Sequence, residues 1–285
     1  GEADGADKTE VRAEFTFTIA GSYKVCYRVS GEKFRSVGSA SFVVSAVPPT
    51  MYAHAAHPET GVQGVRVVLG GTSDTASGLV TGSTGDEVKI IAADAADCTA
   101  AAAGGTAASA RAAPSANGEA DGADKTEVRA EFTFTTAGSY KVCYKAAAAG
   151  AQWAAVGSLA FDVRAIAPSR WSSSDSAKSR TAAPIALTFS GGSGLTTKPV
   201  GGDAVKIVDA MDICSAGSSA GGTTIVTDLS PDDSDDATTS SAIFTFTIAG
   251  QYKVCYKLAD TAGFVAIGEF LDVSPVLPTQ FKKSS

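Results

Sequence analysis

Residues 1 to 28 read GEADGADKTEVRAEFTFTIAGSYKVCYR, and the later part of this stretch decides the fold. Phe15 and Phe17 alternate with Thr16 and Thr18, then Ala20, Gly21 and Ser22 turn the chain, and Tyr23, Val25 and Tyr27 alternate with Lys24 and Cys26. A period of two sends successive side chains to opposite faces, so two such runs joined by a short turn form a β-hairpin. The same period marks Val65 and Val67, then Ile185, Leu187 and Phe189, then Val205 and Ile207. No segment carries a capped apolar period of 3.6 residues, and the Ala-rich stretches are interrupted by Gly104-Gly105 and Pro114. The chain reads as all-β.

Self-similarity sets the organisation. The opening 28 residues recur at 118 to 145 with Ile19 replaced by Thr136 and Arg28 by Lys145, and a diverged copy, IFTFTIAGQYKVCYK, runs from Ile243 to Lys257. Cys26, Cys143 and Cys255 stand 117 and 112 residues apart, the size of one β-sandwich rather than of a short solenoid repeat. An aromatic three residues before an aliphatic-Gly pair recurs at Phe34, Trp153 and Phe264, and a Pro-Ser/Thr-x-aromatic signature ends in Tyr52, Trp171 and Phe281. These prolines fall where one copy joins the next, as linkers or strand ends, and the three aromatics are expected to pack at the junctions. The earlier half of the repeat occurs only twice, as GDEVKIIAADAADC (Gly85 to Cys98) and GDAVKIVDAMDIC (Gly202 to Cys214). The expected division is therefore 1–47, the second half of a repeat; 48–166 and 167–275, two whole sandwiches; and 276–285, the first strand of another.

The run Phe132-Thr133-Phe134 followed by Gly138-Ser139-Tyr140-Lys141-Val142 resembles the E and F strands of PKD and related immunoglobulin-like domains. The whole repeat is similar to tandem domains of surface and flagellar-hair (mastigoneme-type) proteins of algae and other protists. That resemblance implies tandem antiparallel β-sandwiches in an extracellular, structural setting. Two features differ from relatives of this kind: no W-D-F-G-D-G segment is present, and Tyr140 stands three residues before Cys143 where an immunoglobulin tyrosine corner has two.

The five cysteines divide as Cys98 with Cys143 and Cys214 with Cys255, one pair per whole repeat, while Cys26 sits in the half repeat and is expected to join a cysteine outside residues 1 to 285. One disulfide per domain implies an oxidising compartment, hence an extracellular or cell-surface protein. Thirty acids against 23 bases give a net charge of -7, which argues against nucleic-acid binding through a basic face. No uninterrupted apolar run approaches the roughly 20 residues of a membrane-spanning helix.

Little in the sequence points to catalysis. His54 and His57 lack acidic or thiol partners at matching positions of the next repeat and read as solvated loop residues. Gly217-Ser218-Ser219-Ala220-Gly221 fits G-x-S-x-G, but its domain has no histidine and offers no strand-to-helix turn. From Ile207 to Tyr252 there is no Lys or Arg, while Asp232, Asp233, Asp235 and Asp236 gather in one loop; these carboxylates read either as solvated charge or as hard ligands for Ca²⁺, without EF-hand spacing. No N-glycosylation sequon occurs, whereas Ser-rich segments such as Trp171 to Ser179 permit O-linked glycans. The expected role is structural and non-enzymatic: a subunit that self-associates into an extracellular filament or flagellar-hair-like appendage. The alternative is a surface adhesin that binds glycan or a partner protein through sandwich loops.

Overall fold

The computed structural model describes residues 12–17, 19–71, 74–115, 120–122, 125–173, 180–215, 217–231 and 237–277. Its regular elements are all strands: no helix occurs among the described residues, and so none is long and apolar enough to cross a membrane. The chain is all-β, built of tandem antiparallel sandwiches.

The first sandwich comprises β5 (Tyr52–His54), β6 (Val65–Gly70), β7 (Glu87–Ala92), β8 (Ala110–Arg111), β9 (Ala113–Pro114), β10 (Glu127–Phe132), β11 (Gly138–Lys145), β12 (Ala154–Ala155) and β13 (Phe161–Val163), following β1 (Gly21–Tyr23), β2 (Cys26–Tyr27), β3 (Arg35–Ser36) and β4 (Phe42–Val44) of the N-terminal segment. One sheet runs β5-β6-β10-β9 and the other β12-β11-β7-β8, with β13 also paired to β11. In the lettering of immunoglobulin domains this is A-B-E-D against G-F-C-C′, the immunoglobulin-like arrangement. The alternation read from sequence explains the core: Val65, Val67 and Leu69 of β6 and Val128, Ala130 and Phe132 of β10 turn inward to meet Val88 and Ile90 of β7 and Tyr140, Val142 and Tyr144 of β11.

The second sandwich repeats the plan with β14 (Arg170–Ser173), β15 (Pro184–Ser190), β16 (Ala204–Asp209), β17 (Ser240–Thr245), β18 (Gly250–Lys257) and β19 (Val265–Val273). Its sheets are β14-β15-β17 and β16-β18-β19, closed over a separate core that includes Leu187, Phe189, Ile207, Phe246 and Val254.

The tyrosine spacing now has a physical reading. Tyr140 faces the core, and its hydroxyl donates to the Thr136 carbonyl at 2.8 Å; Tyr252 does the same to Ile248 at 2.9 Å and Tyr23 to Ile19 at 2.7 Å. This is a tyrosine corner in all three copies. A two-residue step to the cysteine would keep it on the core face, whereas three residues turn it outward. Cys143 and Cys98 are joined on the outer face of the β11–β7 sheet, packed with Ile91 and the half-buried Trp153, and Cys214 and Cys255 are joined in the same place beside Val208 and Phe264.

The turn from the disulfide loop back to the sheet demands glycine in each sandwich. A Cβ on Gly104 would lie 2.8 Å from Phe134 and 2.9 Å from Tyr140, and one on Gly221 would lie 2.7 Å from Phe246 and 2.9 Å from Tyr252; both residues have φ near +65°. Gly221 of the G-x-S-x-G run is therefore a packing residue at the tyrosine corner.

Candidate functional site: the joint between repeats

Each sandwich has, at the end facing the preceding repeat, a buried carboxylate that ties three loops together. Asp86 follows Gly85, and its Oδ2 accepts the Val80 N–H at 2.8 Å and the Tyr144 hydroxyl at 2.5 Å, while Oδ1 accepts the Ala147 N–H at 2.8 Å. Asp203 follows Gly202 and accepts from Thr196 N–H at 3.3 Å, the Tyr256 hydroxyl at 2.7 Å and Ala259 N–H at 2.8 Å. Buried carboxylates persist only when such donors replace water. The glycines before them are steric necessities: a Cβ on Gly85 would meet the Val80 carbonyl at 2.6 Å, and one on Gly202 the Lys198 carbonyl at 2.2 Å.

Burial pushes Tyr144, Tyr256 and Asp203 upward. It raises the Tyr144 and Tyr256 hydroxyls well above the ordinary tyrosine value, with the facing aspartate adding to it. Burial also raises Asp203, and the neighbouring Asp260 carboxylate pushes the same way against the hydrogen bonds from Tyr256, Ala259 and Thr196. A carboxyl raised in the folded state favours folding most below the unfolded value and loses that contribution as pH rises, so charged Asp203 is a cost at neutral pH. The first sandwich has Ala148 where the second has Asp260.

Above each knot the preceding repeat docks by backbone pairing. Val47 and Ser77 exchange N–H···O bonds of 3.0 and 3.2 Å, and Ile166 and Ser193 exchange bonds of 2.9 and 3.0 Å, both as isolated antiparallel bridges. Ser77-Gly78-Leu79 and Ser193-Gly194-Leu195 are equivalent loops, so the same joint is made twice. At the second joint the buried Thr60 hydroxyl adds a bond to the Ser193 carbonyl at 2.8 Å, and a Cβ on Gly194 would strike Thr60 at 2.7 Å. Matching grooves lie beside the joints. One, of about 560 Å³, is lined by Gly138, Asp162, Arg164, Lys198, Asp203 and Asp260; the other, of about 360 Å³, by Gly21, Val44, Val80, Asp86 and Ala147.

The outer-face disulfides have a repeated cation beside them. The mostly buried Lys89 donates to the Cys98 and Ala100 carbonyls at 2.8 and 2.9 Å and lies 4.6 Å from the Trp153 ring centre; Lys206 donates to the Gly217 carbonyl at 2.8 Å and lies 4.6 Å from the Phe264 ring. Carbonyls and a ring face together replace the ammonium's water.

Tyr52 and Trp171 make their contacts inside the sandwich that each opens rather than across a junction. Tyr52 donates to the Leu159 carbonyl at 2.6 Å and packs near Phe161, and the Trp171 indole N–H donates to the Glu269 carbonyl at 3.1 Å. Each closes the first strand against the last segment of its own domain, a contact 107 residues apart for Tyr52. Phe281, Asp232, Asp233, Asp235 and Asp236 lie outside the described residues. His54 and His57 are exposed, with His54 Nδ1 2.6 Å from the adjacent Ala55 carbonyl. Cys26 is exposed with a free thiol. Among the described residues no group of three His, Cys, Asp or Glu side chains could hold a metal ion.

Sequence reading missed the Asp–Tyr knots and the bridging Ser-Gly-Leu loops. Their signal was the recurrence of Ser-Gly-Leu some residues ahead of Gly-Asp in both whole repeats.

No protein-family model matches the chain, and no curated protein matches it. Among solved structures the chain is similar to the Escherichia coli adhesin FdeC (16% identity, 90% of this chain and 75% of that one, TM-score 0.26). It is similar also to the Yersinia pseudotuberculosis adhesin InvE (13%, 76% and 58%, TM-score 0.33) and to the ectodomain of mouse nectin-like molecule 4 (11%, 93% and 76%, TM-score 0.30).

Proposed function

We propose that the chain is a structural, non-enzymatic segment of an extracellular or cell-surface array, in which immunoglobulin-like sandwiches are stacked through a repeated joint into a filament or flagellar-hair-like appendage. The observation that carries this reading is the joint itself: the same backbone bridge, above the same buried Asp–Tyr knot, links successive repeats at Val47/Ser77 and Ile166/Ser193. One joint used repeatedly relates each unit to the next by one operation, which builds a regular linear assembly. The disulfides at Cys98–Cys143 and Cys214–Cys255 support an oxidising location. The adhesin alternative would use exposed aromatics as its anchors, and the indole N–H of Trp171 is already engaged by Glu269.

Small-angle scattering of the full chain, with and without a flexible Gly-Ser insertion after Ala167, tests the reading. A fixed, extended particle that loses its defined length on insertion supports it, together with filaments repeating on the domain scale in native material. Identical scattering from both proteins, or saturable glycan binding abolished by Trp171→Ala, would contradict it.

A further inference from the structure

We infer that the aromatic ring and ammonium beside each disulfide form a lid that gates thiol access, and that the two lids open in order: a small-molecule thiol cuts Cys214–Cys255 well before Cys98–Cys143. The second sandwich is then the first to loosen in a reducing medium.

The placement of the bonds makes a lid necessary. Both disulfides lie on the outer face of a sheet, on the solvent side, yet Cys143 and Cys255 are fully buried and Cys98 and Cys214 nearly so. Ile91 and Trp153 pack on the first pair, and Val208 and Phe264 on the second. Both rings are only half-buried, so each cover is as firm as the contacts that hold its ring down.

Those contacts differ. Lys89 lies 4.6 Å from the Trp153 ring centre and ties down the loop that carries Cys98 through two carbonyls, those of Cys98 and Ala100. Lys206 lies equally near Phe264, but among the described residues it ties its loop through the Gly217 carbonyl alone. A second ammonium, Lys145, stands 5.7 Å from the Trp153 ring and is fixed by Glu87 at 3.2 Å, a carboxylate that Arg111 holds in turn at 3.0 Å. In the second sandwich Ala204 stands opposite Lys257 where Glu87 stands opposite Lys145, so that anchor is gone. Phe264 is also a weaker cation partner than Trp153.

Reduction needs a thiolate in line with the S–S bond. It attacks the sulfur of Cys98 or Cys214, the less covered residue of each pair; the S–S bond breaks as the new one forms, and Cys143 or Cys255 leaves as a thiolate that takes a proton from water. A second thiolate of the reductant then attacks the reductant's sulfur in the mixed disulfide and releases the remaining cysteine. Two electrons pass to the protein, and the reductant ends as its own disulfide. None of this starts until the ring moves aside, so the rate reports the lid.

The test uses the full chain with Cys26→Ala, which removes the internal thiol, treated with dithiothreitol under native conditions; alkylation and peptide mapping follow each pair. Cys214–Cys255 should be reduced about 10-fold faster than Cys98–Cys143. Glu87→Ala should speed reduction of the first bond, and Ala204→Glu, which installs the missing anchor, should slow that of the second. Trp153→Ala should bring the first bond to at least the rate of the second and leave the second unchanged. Val67→Ala, a cavity in the first core away from the lid, controls for lost stability and should leave the first bond's rate near the parent's. Equal rates in the parent, the reverse order, or no slowing by Ala204→Glu overturns the inference. Acceleration by Val67→Ala as large as by Trp153→Ala overturns it as well, by assigning reduction to unfolding of the whole sandwich.

Discussion

Residues 12–28 and 129–145 are nearly the same sequence in two surroundings, and the surroundings decide what the sequence becomes. In the later copy Phe134 is fully buried, Val142 is fully buried and Tyr144 is 2% exposed; in the earlier one Phe17 is 36%, Val25 45% and Tyr27 51% exposed. Gly138–Lys145 is one continuous eight-residue strand, whereas its twin breaks into Gly21–Tyr23 and Cys26–Tyr27, and the residues matching β10 form no strand among those described. Local pattern sets which side chains share a face. A facing sheet and a paired neighbour then turn that pattern into a ladder.

The shared phenylalanine should separate the two copies most strongly. Phe134→Ala should destabilise the first sandwich by about 3–5 kcal/mol, while Phe17→Ala should change stability by less than about 0.5 kcal/mol; denaturant unfolding of the two variants measures both. Equal effects would mean that the earlier copy is covered after all.

Removing the Cys98–Cys143 bond by paired Ala substitution should cost about 4 kcal/mol for a loop of 45 residues. Cys26→Ala should be nearly silent by the same measurement, since its thiol is free and exposed.

Tyr144→Phe removes a hydroxyl from a buried carboxylate and should cost about 1–3 kcal/mol, whereas Tyr27→Phe should cost almost nothing. Tyr144 and Tyr256 are raised in the folded state, so their contribution is whole below the unfolded tyrosine value of about 10 and is lost as pH climbs above it. Stability followed from pH 9 upward should fall less steeply in Tyr144→Phe than in the parent.

The smallest expected effect compares the two whole sandwiches. Gly61 at φ +73° and Ala182 at φ +63° occupy equivalent turns, their N–H groups donating to Phe134 and Phe246 carbonyls at 2.7 Å. Ala182→Gly relieves a left-handed alanine at the expense of a more flexible unfolded chain, and should raise the second sandwich's stability by at most about 1 kcal/mol in thermal unfolding.

Much of the fold is legible because alternation is local. Phe15 through Tyr27 state their faces without any distant information, and the repeat then carries that reading through the chain. The knot is not legible in the same way: Asp86 and Tyr144 are 58 residues apart, and a buried polar residue interrupts no periodicity. Tyr52 illustrates a third case. Its recurrence beside proline marks a constrained position, but its partner at Leu159 is defined only once the first strand is folded against the last. The cysteine spacing lay in plain view as a departure from an immunoglobulin corner. Its meaning, a disulfide outside the sandwich rather than through it, follows only from which face Tyr140 takes.

The most direct test of the central claim is native hydrogen exchange of the chain, read by mass spectrometry on peptides from the two copies, which the Ile19/Thr136 and Arg28/Lys145 differences make distinguishable. Amides of Gly138 to Lys145 should be protected by several orders of magnitude, and those of Gly21 to Arg28 should exchange close to the rate of an open chain. Equal protection in the two copies would contradict it.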